Sequence, residues 1–171
     1  EGKEYRTDYS NASRTQLFNI FDLKWDDEIC KLFGIDPANM AEVTDSDACF
    51  GETDFEGLLP HKIPIHGVLG DSHGSLFGQG CLQPGMIKST YGTGSSIMMN
   101  IGEKPILSTH GVVTSLAWKI GGKVNYVLEG NLNYTGAVIT WLKDDLQIIA
   151  SPGETGPLAK AAIQEDSLYL V

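Results

Sequence analysis

Ile63-Pro64-Ile65-His66-Gly67-Val68-Leu69-Gly70-Asp71-Ser72-His73-Gly74-Ser75-Leu76-Phe77-Gly78-Gln79 is the stretch whose reading decides the fold. Its first half is a compact apolar run, which predicts a strand over 63–69. Gly70-Asp71 stops that run, and Ser75 to Gln79 has the texture of the first turns of a helix. The segment reads as strand, glycine corner and helix, with a carboxylate in the corner. Open α/β folds place their ligands at the rim where strands end, so Asp71 is the leading functional candidate. Its carboxylate can accept the proton of an attacking hydroxyl; the plainer alternative is that it caps the following helix.

Working outward, residues 14–33 carry apolar positions at Leu17, Phe18, Ile20, Phe21, Leu23, Trp25, Ile29, Leu32 and Phe33, and predict two short helices. Asp26, Asp27 and Glu28 supply helix-start acids, Gly34 an end, and Asp36-Pro37 a cap followed by proline at the next helical start. From Ala38 to His61 the pattern is broken and reads as connection with a short strand. Beyond Pro84-Gly85 the texture turns to β: Met86 to Tyr91, Ser95 to Ile101, Val112 to Ile120 and Asn125 to Glu129 predict consecutive antiparallel strands. Val138, Ile139, Trp141, Leu142 and Leu146 mark an amphipathic helix. Leu158 to Ile163 predicts another helix, and Ser167 to Val171 a strand. A domain boundary is expected between Gly78 and Gly85, dividing the chain into 1–80 and 81–171.

Twelve Lys and Arg stand against 22 Asp and Glu, a formal charge of −10. That balance argues against nucleic acid or an anionic membrane as partner. Bound phosphate must be held by backbone amides, a metal ion or a few local cations. No apolar run approaches the roughly 18–20 residues a bilayer span needs, and the first residues are charged, so a cytoplasmic protein is expected. Cys30, Cys49 and Cys81 lack metal or disulfide spacing. His61, His66, His73 and His110 form no ligand pattern, so no protein metal site is expected; His73 is close enough in sequence to Asp71 to reach a ligand there. Trp25, Trp118 and Trp141 read as packing residues. Glu129 is placed at a strand end as a local hydrogen-bonding group, with a metal or water-mediated role as the alternative. Arg14 is a partner for Asp8 or a cleft residue.

Thr90-Tyr91-Gly92-Thr93-Gly94-Ser95-Ser96 lies between two apolar strands, so its amides and hydroxyls can line an anion-accepting turn. Gly-Thr-Gly is equally ordinary hairpin chemistry, and no Gly-Lys-Ser/Thr follows to make a Walker A loop.

Taken together, Asp71 to Gln79, Lys88-Ser-Thr-Tyr-Gly-Thr-Gly94, Glu129-Gly130-Asn131 and Thr135-Gly136-Ala137 closely resemble the FGGY family of carbohydrate kinases. Thr7 to Thr15, Leu17 to Ile20 and Trp25 to Glu28 are similar to stretches of its glycerol kinase branch; xylulokinases belong to the same family. The resemblance covers nearly the whole chain. It implies an α/β, actin-like ATPase (ribonuclease H-like) fold, with the end of the first domain in 1–80 and the start of the second in 81–171. It also implies phosphorylation of a small sugar or polyol by ATP with Mg2+. Asp71 takes the role of general base. Gly92, Thr93 and Gly94 lie at the ATP phosphates, Gly136 beside the nucleotide, and Thr140 where glycerol kinases contact nucleotide through Gln.

Asp71, Ser72 and Ser96 fall at substrate positions. Glycerol kinases carry Gln where Ser72 stands and an aromatic residue where Ser96 stands, which points toward a larger, more polar acceptor. The family's first phosphate loop, its Arg-Glu substrate pair and its adenosine segment have no counterpart in these residues, so the isolated chain is expected to be inactive. Rival readings are a degenerate, binding-only module and a GDS-type esterase with Ser72 as nucleophile; the latter lacks a histidine after His110. The expected partners are the sugar or polyol and ATP, with a homo-oligomer as a further option.

Overall fold

The computed structural model describes residues 4–162. The expected strand over 167–171, and Ile163 at the end of the last expected helix, lie outside the described residues. The chain falls into two compact units. One holds the described chain up to Ser89 together with Ser96–Gly130; the other holds Thr90–Ser95 and the described chain from Asn131 onward.

The first unit opens with β1 (Arg6–Asp8), which runs parallel to β4 (Glu42–Thr44). Asp8 ends β1 and caps α1 (Tyr9–Ala12), its carboxylate accepting from the Ser10 and Asn11 amides. The first helix expected within 14–33 is instead a tight hairpin of β2 (Phe18–Asn19) and β3 (Lys24–Trp25). Two local features decide this. Asn19 Oδ1 accepts from the Phe21 and Asp22 amides, a side-chain-closed turn, and Gln16 and Leu23 take φ of 64° and 56°, which a helix does not tolerate. Phe18 and Trp25 then meet edge-to-face across the hairpin, centroids 5.3 Å apart. The second helix, α2 (Asp27–Leu32), forms as expected with Asp26 as its cap.

β5 (Cys49–Thr53) and β6 (Ile63–His66) form a separate exposed ribbon. The expected strand over 63–69 thus ends at His66, because Gly67 has φ 84° and the chain turns off the ribbon. A linker through Gly70 leads to α3 (Asp71–Gly78). Asp71 therefore stands at a helix start beyond a two-stranded ribbon and not at the rim of a large sheet.

β7 (Ile87–Tyr91), β8 (Ser95–Gly102), β9 (Val113–Ile120) and β10 (Lys123–Leu132) build the main sheet, in the order β7-β8-β10-β9. All four expected strands form, but β10 inserts between β8 and β9, so sequence neighbours are not always sheet neighbours. β9 and β10 are antiparallel, with Asn125 opposite Trp118 and Tyr126 opposite Leu116, which leaves Ala117 as an extra bulged residue. The sheet buries two faces. Leu76 of α3 packs with Cys81, Met98, Ala117, Trp118 and Val127 on one; Tyr9, Ala12 and Phe18 pack with Leu116 and Tyr126 on the other. Alternation along β10 sends Tyr126 and Val127 to opposite faces, and the Ala117 bulge lets Ala117 and Trp118 share one.

The second unit carries the turn between β7 and β8, then α4 (Gly136–Asp144), a 3-10 turn at Pro152–Glu154 and α5 (Thr155–Ala161). α4 is amphipathic, yet it contributes no fully buried side chain, and Trp141 is 40% exposed.

His73, which the sequence allows near a ligand, is buried in the first unit with Nε2 3.3 Å from Ser115 Oγ. Burial holds its pKa below the ordinary histidine value, helped by Arg14 and Lys88 and opposed by Glu129 and Asp8. The folded chain therefore resists a proton that the unfolded chain accepts near about pH 6.5. Stability should fall as pH drops below that value, by at most about 1.4 kcal/mol per pH unit. Thermal melts from pH 8 to 5 should show this loss in the wild type and a shallower one in His73→Gln; equal slopes would contradict the assignment.

Candidate functional site

The sequence candidates fall into two groups, one in each unit. In the first unit Asp71 is exposed and is the first residue of α3. Gly70 holds the N-cap position and provides no side-chain cap. Asp71 Oδ1 accepts from the amide of Ser72 at 2.6 Å. Its geometry is not that of a helix cap, whose side chain reaches amides two or three residues on. The Asp71 carboxylate thus faces solvent at the start of α3, where a hydroxyl group can reach it.

One electrostatic neighbour of this carboxylate is Lys88. Lys88, on β7, is 4% exposed. Burial lowers its pKa, while the carboxylates of Glu129 and Asp71 work to retain its proton. Glu129, on β10, is buried and accepts from Ser96 Oγ at 2.9 Å and from Arg14 Nη1 at 2.8 Å. Ser96 is thus a polar group already oriented by a buried carboxylate. Arg14 pairs with Glu129 and not with Asp8, contrary to one sequence expectation.

Asp8 is fully buried and bound by five donors: the Ser10 and Asn11 amides, Ser10 Oγ, Asn11 Nδ2 and Ser46 Oγ. Ser10 Oγ in turn accepts from the Gly70 amide at 2.9 Å. Sequence reading did not single out Asp8 or Ser10 as a pair. The available signal was Asp8-x-Ser10-Asn11, an N-cap pattern, but nothing in it says that the hydroxyl reaches residue 70.

In the second unit Gly92, Thr93, Gly94 and Gly136 come together. The amides of Thr135 and Ala137 donate to the Thr93 carbonyl at 3.0 and 3.1 Å, and the Gly136 amide to the Gly92 carbonyl at 3.0 Å. Thr135 Oγ1 donates to the Gly92 carbonyl and accepts from Ser95 Oγ. The start of α4 is therefore satisfied by the turn, and the turn's carbonyl oxygens point into it. A phosphate is attracted by amides; here the amides of Thr135, Gly136 and Ala137 are taken up by the turn's carbonyls, and the Gly92 amide by the Gly94 carbonyl at 2.9 Å. Thr93 is exposed at the tip of the turn. Thr140 lies further along α4 and is exposed. Among the described residues no group of three His, Cys, Asp or Glu side chains is arranged to hold a metal ion.

Comparison with known proteins gives the fold class of this α/β chain, that of the sugar kinases with an actin-like ATPase fold. Residues 2–78 match the N-terminal domain, and residues 87–169 the C-terminal domain, of the FGGY family of carbohydrate kinases. The chain belongs to that family. It is 50% identical over 171 residues to glycerol kinase 1 of Thermotoga maritima, all of this chain and 35% of that protein. It is 45% identical over 170 residues to glycerol kinase of Oceanobacillus iheyensis, covering 99% of the chain and 34% of the relative. The crystal structure of Plasmodium falciparum glycerol kinase with ADP superposes with a TM-score of 0.84 at 34% identity, over 92% of this chain and 32% of that one. Xylulose kinase from Lactobacillus acidophilus shares the fold, with a TM-score of 0.78 at 19% identity over 94% of this chain and 33% of that one. The chain thus spans about a third of the length of these relatives.

Two glycines allow close approaches of the turn, Gly136 that to α4 and Gly94 that to the end of β10. A Cβ at Gly136 would lie 2.5 Å from the Gly92 carbonyl oxygen, and one at Gly94 2.7 Å from that of Leu132. Gly136→Ala should therefore destabilise the second unit by about 1–3 kcal/mol, the usual cost of forced overpacking. Gly156→Ala on α5, with nothing within 4 Å, should leave stability unchanged or raise it by up to about 1 kcal/mol. Denaturant midpoints of the two variants check this, and equal midpoints would contradict it.

Proposed function

We propose that the chain is an internal part of a cytoplasmic ATP-dependent kinase for a small polyol or sugar. Residues 1–80 complete its first domain and 81–171 begin its second. Asp71 is the general base: it accepts the proton of the substrate hydroxyl as that oxygen attacks the terminal phosphorus of ATP. The observation that carries this reading is the placement of Asp71, exposed at the start of α3 with its backbone held from behind through Gly70. Family membership and glycerol kinase relatives at 45–50% identity support the same reaction.

Phosphoryl transfer demands little covalent chemistry of the protein. It needs a placed acceptor, a proton sink and donors to the transferring group. In this reading Gly92, Thr93 and Gly94 cradle the phosphates, with Gly136 and Thr140 beside the nucleotide, and Mg2+ accompanies ATP to neutralise phosphate charge. Ser72 and Ser96 contact the acceptor. A hydroxyl at position 96, turned to Glu129, favours an acceptor richer in hydroxyls than glycerol, since a polar wall left without a partner costs affinity. The 171-residue chain alone has no measurable turnover.

The test is a panel of glycerol, xylulose, ribulose and related polyols with ATP-Mg2+ and the parent protein, followed by Asp71→Asn. The variant should lose about 10²–10⁴-fold or more in kcat, with ATP affinity within about threefold of wild type. Turnover retained within about tenfold would remove Asp71 from the role of base.

A further inference from the structure

The buried Asp8 and Ser10, remote in sequence from the corner at Asp71, make a chain of hydrogen bonds that ends on it. Ser10 Oγ donates to Asp8 Oδ2 at 2.7 Å and accepts the Gly70 amide at 2.9 Å. Both side chains have no exposed surface. Gly70 immediately precedes Asp71 and is the N-cap of α3, whose own first turn begins with the Gly74 amide donating to the Gly70 carbonyl at 2.7 Å. The Gly70 peptide is therefore held at both its donor and its acceptor. A Cβ at residue 70 would come within 2.9 Å of His73 Nδ1 and 3.6 Å of Asn11 Oδ1, so α1 and α3 close tightly around this peptide.

We propose that Ser10, oriented by the buried Asp8 carboxylate, is a positioning residue for the proton acceptor: it sets where the Asp71 carboxylate stands. This inference rests on the reading of Asp71 as general base. An ionised acceptor makes a strong, short hydrogen bond with a hydroxyl, which fixes the hydroxyl's rotamer and leaves its lone pair for one further donor. Here that donor is the Gly70 amide. Ser10 Oγ thus serves two partners at once, donating to Asp8 and accepting from Gly70, and a buried hydroxyl without partners is costly.

Ser46 offers an internal control. Its Oγ also donates to Asp8 Oδ2, at 2.8 Å, yet it holds the Lys119 amide and not Gly70. Ser10→Ala and Ser46→Ala each remove one hydroxyl from the same buried carboxylate, and only the first releases the corner.

The experiment measures kcat, KM for ATP and melting temperature in the parent protein for Ser10→Ala, Ser46→Ala, Ser10→Thr and Asp71→Asn, with the best acceptor of the panel. Ser10→Ala should lower kcat about tenfold to hundredfold, as a displaced reacting group does, with KM for ATP within about twofold. Ser46→Ala should melt comparably early but keep kcat within about threefold, and Ser10→Thr should recover most of the lost turnover. Where Ser10→Ala does not fold, Ser10→Cys, of similar size but a weak acceptor, should show the same loss of kcat. Equal kcat losses in the Ser10 and Ser46 variants, or full turnover in Ser10→Ala or Ser10→Cys, would overturn the positioning role while leaving Asp71 as base. Full turnover in Asp71→Asn would overturn both.

Discussion

A carboxylate with no exposure to water must find its donors inside the protein, and Asp8 finds five. That requirement ties together segments far apart in the chain. The Ser10 and Asn11 amides start α1; Ser46 brings in the loop after β4, and through its backbone it takes the Val68 amide and reaches Lys119 of β9. Ser10 adds Gly70. The start of α3 is thus referenced to a buried charge and not merely to apolar packing, which tolerates small slips. Removing one partner from such a group costs more than the average hydrogen bond, because the remaining charge stays desolvated.

The second unit solves a related problem with backbone alone. A hairpin turn and a helix start each leave polar groups unpaired, carbonyls in one case and amides in the other. Gly92, Thr93 and α4 satisfy each other, and the approach is close enough that residues 94 and 136 have no room for a side chain. The same exchange turns the carbonyls away from the tip occupied by Thr93. Both units thereby present their candidate groups, Asp71 and Thr93, as exposed side chains on backbone that is fixed from behind.

The sequence made α3, the strands of the main sheet, α2, α4 and the glycine-lined turn legible, because periodicity and glycine placement are local signals. Asp71 and Thr93 were candidates from the glycine corner and the Gly-Thr-Gly turn, whereas Gly136 and Ser96 were candidates only through the family resemblance. The β2–β3 hairpin was misread as a helix: its apolar residues suit either, and the deciding Asn19 turn depends on side-chain bonding that periodicity does not register. The insertion of β10 between β8 and β9 is likewise a long-range choice. Arg14 with Glu129, and Asp8 through Ser10 to Gly70, join residues 115 and 60 positions apart or more along the chain; a single sequence carries no trace of such pairings. His73 looked available because it lies two residues from Asp71, but on a helix that spacing points a side chain to another face.

Amide hydrogen exchange at Gly70, read beside Gly74 in the parent protein and in Asp8→Asn, tests the buried anchor most directly. The Gly70 amide should be strongly protected in the wild type and exchange at least about tenfold faster in Asp8→Asn, the equivalent of about 1.4 kcal/mol, while Gly74 inside α3 changes little. A Gly70 amide that exchanges freely in the wild type, or is indifferent to Asp8→Asn, would contradict the claim that a buried carboxylate sets the position of the corner.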